Sequence, residues 1–314
     1  MTQPLNLVFC GTPQFAVPTL EKMAEARFNV RLVLTQPDRP KGRGLELAAS
    51  PVKETALRLG LPVYQPEKIK ENADLRARLD EIAPAAIIVV GYGRIIPGWM
   101  LQLPKHGNIN LHASLLPKYR GAAPIQWAIA NGEPVTGVTT MRIDEGLDTG
   151  NILLQKELAI LDEDTAETLS PRLAAIGAEL MVETLRGLAE GTISPQRQKN
   201  DQATLAPILK KEDGRIDFSR SAQEIYNRLR GFQPWPGAFT SFRDKLNITA
   251  AKPSGESNDL AQGQLQVKDN RLFVGCGNST ALELLEVQPE GKKRISARDF
   301  VHGYRPAVGE RLGG

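Results

Sequence analysis

Cysteine is nearly absent: Cys10 and Cys276, at opposite ends of 314 residues, are the only two. Such a pair cannot build a disulfide framework, and no Cys-x-x-Cys or His-x-x-x-His spacing offers a zinc site. Cys10, inside an apolar run, reads as a small buried hydrophobe. Long apolar stretches are missing too. The longest, Ala85 to Val90, falls far short of the roughly 20 residues that span a bilayer. The opening Met1-Thr2-Gln3-Pro4 lacks the charged start and apolar core of a secretory signal. These absences predict a soluble, cytoplasmic protein without membrane or metal. Several catalytic signatures are also missing. The first apolar run is not followed by Gly-x-Gly-x-x-Gly, no Walker A motif occurs, and Ser114 has no Gly-x-Ser-x-Gly setting.

What is present is globular. Hydrophobic residues make up 41% and charged residues 24% of the chain, which excludes disordered, collagenous and coiled-coil classes. At about 150 residues per domain, the length suits two. The first two hundred residues alternate apolar runs with helical patterns, as in a layered α/β sheet. Strands are expected at Leu5–Phe9, Val30–Leu34, Ala85–Val90 and Asn108–Leu111. Helices are expected at Thr19–Ala26, at Pro51–Leu59 behind a Ser50 cap, and at Leu169–Leu188. The polar stretch 191–206 reads as a linker. Beyond it come one helix, Ala222–Leu229, and evenly spaced short strands near 239–242, 263–267, 272–275 and 281–287, the pattern of a small β-barrel. The expected domains are therefore 1–190, a linker 191–206, and 207–314.

Net charge is +3, but it is unevenly spread. From Pro207 onward 17 basic residues face 13 acidic ones, while the first 206 residues carry 22 against 23. A basic C-terminal part fits a domain that meets a polyanion, and ordinary surface scatter fits equally well.

Histidine is scarce, with only His106, His112 and His302. The segment Asn108-Ile109-Asn110-Leu111-His112-Ala113-Ser114-Leu115-Leu116-Pro117-Lys118-Tyr119-Arg120-Gly121 stands out. Residues two apart on a strand share a face, so Asn110 sets an amide donor beside the imidazole of His112. Ligands of open α/β sheets bind where such strands end. A turn-capping Asn110 and a structural His112 fit the pattern equally well. Asp148, between Gly146 and Gly150, is a carboxylate able to orient an imidazole and hold it protonated, or simply a turn residue.

Taken together these segments resemble the folate-dependent formyltransferases. The resemblance runs along essentially the whole chain. It includes Gly11-Thr12-Pro13-Gln14-Phe15-Ala16, Thr35-Gln36-Pro37-Asp38-Arg39-Pro40, Gly42-Arg43-Gly44, Ser50-Pro51-Val52-Lys53, Asn110 to Pro117 with Gly121 and Pro124, Asp148, and Gln233-Pro234-Trp235-Pro236-Gly237-Ala238. It implies a Rossmann-like, doubly wound and mostly parallel N-terminal sheet, with an OB-like C-terminal barrel. The implied activity is transfer of the formyl group of 10-formyltetrahydrofolate to the α-amino group of methionine on initiator tRNA. On this basis Asn110, His112 and Asp148 are catalytic, and Ser114, Leu115, Leu116 and Pro117 lie along the folate pocket. Arg39, Lys41 and Arg43, on a glycine-bearing loop, are expected to reach the acceptor stem. Lys210, Lys211, Lys292, Lys293 and Arg294 are expected to meet tRNA phosphates. A monomer is expected. Two other readings share these residues: formyl transfer to an amino sugar nucleotide, and a non-catalytic tRNA-binding relative.

Overall fold

The computed structural model describes residues 5–41, 46–255 and 258–313. It divides into two units, neither a single continuous segment. The first comprises Met1–Gly121, Val135–Ala159 and Ser170–Ala206; the second comprises Ala122–Pro134, Ile160–Leu169 and Pro207–Gly314.

The first unit is built on strands β1 (Asn6–Gly11), β2 (Asn29–Leu34), β3 (Arg39–Lys41), β4 (Glu46–Ala48), β5 (Val63–Tyr64), β6 (Ala86–Val90), β7 (Asn108–His112), β8 (Val135–Arg142) and β9 (Ile152–Ala159). Seven of them form one sheet, ordered β5-β2-β1-β6-β7-β8-β9, with β3 and β4 a separate hairpin. The first five strands in that order run parallel, and β8 and β9 add antiparallel. The mostly parallel sheet is therefore as expected, with a mixed edge. All five residues of β6 are buried, as an apolar central strand covered on both faces requires.

Helices α1 (Val17–Glu25), α2 (Pro51–Arg58), α3 (Ala73–Ile82) and α4 (Gly98–Leu101) connect these strands. Ser50 caps α2, its hydroxyl accepting from the Lys53 amide, and Pro51 opens the first turn, as the local sequence predicts. Leu75 and Leu79 of α3 and Met100 of α4 pack against Val8, Ile87 and Val89 on one face of the sheet.

The second unit contains α5 (Pro124–Ala130), the start of α6 (Ala166–Glu190), α7 (Ala222–Gly231), strands β10 (Ala238–Phe242), β11 (Asp244–Pro253), β12 (Leu265–Lys268), β13 (Arg271–Cys276), β14 (Thr280–Pro289) and β15 (Ile295–Ser296), and α8 (Ala297–Tyr304). A capping box at Ser221 and Glu224 starts α7. The strands form a six-stranded antiparallel sheet, β10-β11-β14-β13-β12, with β15 on β14. The expected barrel differs in one respect: the two outer strands do not pair with each other. The C-terminal segment bridges them instead. The Glu310 carbonyl accepts from Leu265, the Leu312 amide donates to Gly263, and the Gly313 amide donates to Ser241. Phe242, Leu272, Val274, Leu284 and Leu312 fill the core beneath.

No helix among the described residues is long and apolar enough to cross a membrane. No cluster of three or more His, Cys, Asp or Glu among them could hold a metal ion.

Candidate active site

The central residues sit on β7, and the register shows which way they face. Ile87 lies beside Asn108 and Val89 beside Asn110. Paired positions of neighbouring strands project to the same face. Asn108, Asn110 and His112 therefore share the face covered by α3 and α4. Leu111 points the other way, where the close approach of Gly177 seats α6 against it. Along this face the polarity serves two purposes. Asn108 is buried and donates its amide to the Met100 and Leu101 carbonyls, at 2.9 and 3.2 Å. Asn110 is only half-buried, and its side chain makes no hydrogen bond to any described residue. One asparagine holds the fold, and the next is left with an open donor and acceptor.

His112 is buried, at 6% exposure. Its Nε2 lies 2.9 Å from the Tyr119 carbonyl. A carbonyl only accepts, so Nε2 carries a proton. The other nitrogen, Nδ1, is 3.6 Å from Asp148 Oδ2. That same carboxylate oxygen accepts the Gly121 amide at 2.8 Å. Asp148 itself has φ +53°, a left-handed conformation uncommon for a side-chain-bearing residue. The turn around it is tight: a Cβ on Gly150 would stand 1.7 Å from the Arg142 carbonyl. The residues on which sequence reasoning centred, His112 and Asp148, are thus brought together from positions 36 residues apart, which is their difference in number.

Sequence reasoning missed the residues behind this pair. Arg120, 7% exposed, donates through Nε and Nη2 to Gln198 Oε1 at 3.1 and 2.7 Å, and through Nη2 to Asn200 Oδ1 at 2.9 Å. Gln198, 5% exposed, donates to the carbonyls of Asp148 and Gly150 at 2.8 and 2.7 Å. Nothing local marks either residue. Arg120 lies near the end of the segment that stands out in the sequence and Gln198 lies in a polar stretch, and each is drawn inside by the other across 78 positions.

The four residues expected along a folate pocket divide. Ser114 is fully buried and donates its hydroxyl to the Lys118 carbonyl at 2.6 Å, so it shapes the turn and presents no hydroxyl outward. Leu116 is buried at 3% exposure, with its amide bonded to Thr139 Oγ1 and its carbonyl to Gln155 Nε2. Leu115 and Pro117 are half-buried and are the two with surface to offer a ligand.

The basic residues are dispersed. Arg39 is exposed at the start of β3 and donates to Gln36 Oε1. Lys41 ends β3, paired in backbone register with Glu46, so part of the expected loop is a hairpin. Arg43 lies outside the described residues. The base of this hairpin is fastened: Lys53 pairs with Asp38, and Gln65 donates to Asp38 and to the Gln36 carbonyl. The Lys53 and Gln65 hydrogen bonds hold the Asp38 carboxyl below the usual carboxylate range. Lys210, Lys211, Lys292 and Lys293 are exposed and carry no ion pair to a described residue. Arg294 faces Glu286 at 3.6 Å.

Comparison with known proteins accords with this arrangement. Residues 5–185 match the formyl transferase family model, and residues 208–305 match the model of the formyl transferase C-terminal domain. The methionyl-tRNA formyltransferase of Koribacter versatilis (strain Ellin345) is 65% identical over 307 residues, covering 98% of each chain. That of Acidobacterium capsulatum is 62% identical over 310 residues, covering 98% of this chain and 100% of the relative. A sugar 3N-formyl transferase, WlaRD, crystallised with dTDP and 5-N-formyl-THF, shares the fold with a TM-score of 0.68 at 20% identity. It covers 92% of this chain, and this chain covers 99% of it.

Proposed function

The chain belongs to the formyl transferase family, and from that premise we propose that it moves the formyl group of 10-formyltetrahydrofolate onto the α-amino group of methionyl initiator tRNA. The observation that carries the reading is the meeting at the end of β7 of the His112–Asp148 pair with a half-buried Asn110 whose side chain bonds no described residue. The high identity to relatives of that name along nearly the full chain supports the choice of acceptor.

The chemistry follows from the residues. The neutral amine of methionine attacks the formyl carbon, and the carbonyl becomes an oxyanion. The bond from that carbon to the folate nitrogen then breaks. The nitrogen leaves as an amine with a proton equivalent to the one the nucleophile loses. Asn110 donates its free amide N–H to the oxyanion, an interaction worth about 2.7–4 kcal/mol for one well-placed donor. His112 has Nε2 committed to the Tyr119 carbonyl, so its one mobile proton is on Nδ1. With that proton in place the ring is a cation facing the Asp148 carboxylate, and it stabilises the developing negative charge. Leu115 and Pro117 supply apolar surface for the folate. Arg39, Lys41 and Arg43 reach the end of the acceptor stem, while Lys210, Lys211, Lys292, Lys293 and Arg294 meet phosphates with little reading of bases. In this reading the enzyme works as a cytoplasmic monomer.

The test is formyl transfer from 10-formyltetrahydrofolate to methionyl initiator tRNA, beside methionyl elongator tRNA and an amino sugar nucleotide. Transfer to the initiator alone is expected. Transfer to the sugar alone would overturn the acceptor and keep the catalytic residues. No transfer to any acceptor would overturn the enzyme.

A further inference from the structure

Arg120 stands between the two residues that hold the proposed catalytic pair. The Tyr119 carbonyl accepts from His112, and the Gly121 amide donates to Asp148. The Arg120 side chain leaves in another direction and closes a circuit through Gln198 to the Asp148 and Gly150 carbonyls. The Arg120 backbone is pinned as well, its amide bonded to the Thr204 carbonyl and its carbonyl accepting from Ala206. We propose that Gln198, oriented by Arg120, is a positioning residue for formyl transfer, setting the distance between the Asp148 carboxylate and the His112 ring.

Three features argue for more than filler. First, Gln198 uses both ends of its amide in a fixed sense. Its oxygen takes two guanidinium donors, so its nitrogen must face the turn, and the two N–H groups meet two carbonyls. Second, the turn needs a restraint. A non-glycine residue at φ +53° is held in a sparsely populated region that persists only where its surroundings over-determine it. The Gln198 donors grip that residue and the glycine two positions on. Third, Arg120 is a buried guanidinium whose partners in the circuit are neutral amide oxygens rather than a carboxylate. A buried charge without a counter-ion is costly, and a cation serving packing alone would be better replaced by an apolar residue. Here it provides a rigid two-pronged donor that fixes which way the Gln198 amide points.

The proposal rests on the catalytic reading of Asp148, and the experiment separates the two. Gln198→Glu keeps size and shape and gives Arg120 a charged partner, but it replaces both donors with an oxygen facing two carbonyls. Formyl transfer kinetics would be measured for Gln198→Glu, Asp148→Ala and the double variant, with thermal unfolding and hydrogen exchange at the Gly121 amide. Gln198→Glu is expected to lower kcat about a hundredfold, the scale of an ångström-sized misplacement. KM for both substrates should stay near wild type in the folded fraction, the unfolding temperature should fall because a buried carboxylate oxygen then faces two carbonyls, and the Gly121 amide should exchange at least tenfold faster. In the Asp148→Ala background the same change is expected to have no further effect. A kcat within twofold of wild type, or an equal loss in both backgrounds, would overturn the positioning role. Should Gln198→Glu fail to fold, Gln198→Met carries the same comparison without a buried carboxylate. Near-normal turnover by Asp148→Ala alone would instead overturn the catalytic reading.

Discussion

His112 Nδ1 and Asp148 Oδ2 face each other across 3.6 Å, close enough for charge to matter and too long for a hydrogen bond. The carboxylate is held off by its bond to the Gly121 amide, so its contribution is a field as much as a contact. Asp148→Asn keeps an oxygen for the Gly121 amide and removes the charge. It is expected to fold normally and lose about a hundredfold or more in kcat, with tRNA affinity unchanged. Asp148→Ala should lose as much turnover and, with the Gly121 donor left unmet, about 1 kcal/mol of stability besides. Steady-state kinetics and denaturant unfolding of the two variants separate charge from support.

Asn110 presents the opposite case, a side chain with no hydrogen-bond partner among the described residues. Its removal deletes no hydrogen bond to a described residue, so Asn110→Ala should change stability by no more than about 0.5 kcal/mol. Turnover should fall about 10²–10³-fold, as for loss of one oxyanion donor. Asn108→Ala provides the contrast. That residue is buried and bonded to α4, and its loss should lower the unfolding midpoint while sparing kcat in the folded fraction.

What could be read without the structure was what short-range chemistry dictates. An unbroken apolar run fixes β6 as a central strand, alternation puts Asn110 beside His112, and the Ser50-Pro51 pair starts α2. The hairpin Arg39–Lys41 with Glu46–Ala48 escaped notice because its three-residue strands carry no alternating apolar signal. Helix α3 was also missed: only Leu75 and Leu79 of its ten residues are buried, too few to show a period. Gln198 and Arg120 were invisible for another reason. Their burial is created by tertiary contacts, and neither Gln198, in a polar stretch, nor Arg120, between Tyr119 and Gly121, gives a local sign of being drawn inside. Bridging of the outer strands β10 and β12 by the chain end was illegible on the same grounds.

Glu283 on β14 supplies a pH dependence of stability. It is 7% exposed at its side chain and receives Arg271 on both carboxylate oxygens, at 2.7 and 2.5 Å, with Lys252 at 3.4 Å. The Arg271 hydrogen bonds hold its carboxyl below the usual glutamate range against the opposing effect of burial. A depressed folded value means that the unfolded chain takes up the proton more readily. The contribution is therefore complete above about pH 4.3, the ordinary glutamate value, and is lost as pH falls through the lower folded value. Glu283→Gln should be less stable at pH 7 by about 1.5–3 kcal/mol. The gap to wild type should close towards pH 3 in unfolding curves measured across that range.

The exposed lysines make a prediction about salt. Lys210 and Lys211, and Lys292 and Lys293, lie on separate connections of the second unit, and none pairs with a described carboxylate. If they meet phosphates, each substitution by alanine should weaken tRNA binding for initiator and elongator alike. Each should also reduce the slope of log affinity against log salt by roughly one. Arg294→Ala should do less, because its charge already faces Glu286. Filter binding at several salt concentrations reads both quantities. An unchanged slope for a given lysine removes it from the interface.

The chain end acts as a structural strand substitute. Leu312 is 4% exposed within the core of the second unit, and its amide donates to the Gly263 carbonyl. Its neighbour Gly313 reaches Ser241 on the opposite edge strand, and Arg243 on that side pairs with Glu310. Leu312→Ala removes buried apolar volume and leaves the backbone bridge intact, so it should cost about 2–5 kcal/mol, the usual range for a buried leucine. Arg243→Ala breaks an exposed ion pair and should cost about 1 kcal/mol or less. Denaturant unfolding of the two variants distinguishes anchoring by the core from anchoring by charge. A larger loss from Arg243→Ala than from Leu312→Ala would mean that the edge strands are held by the ion pair rather than by the side chain beneath them.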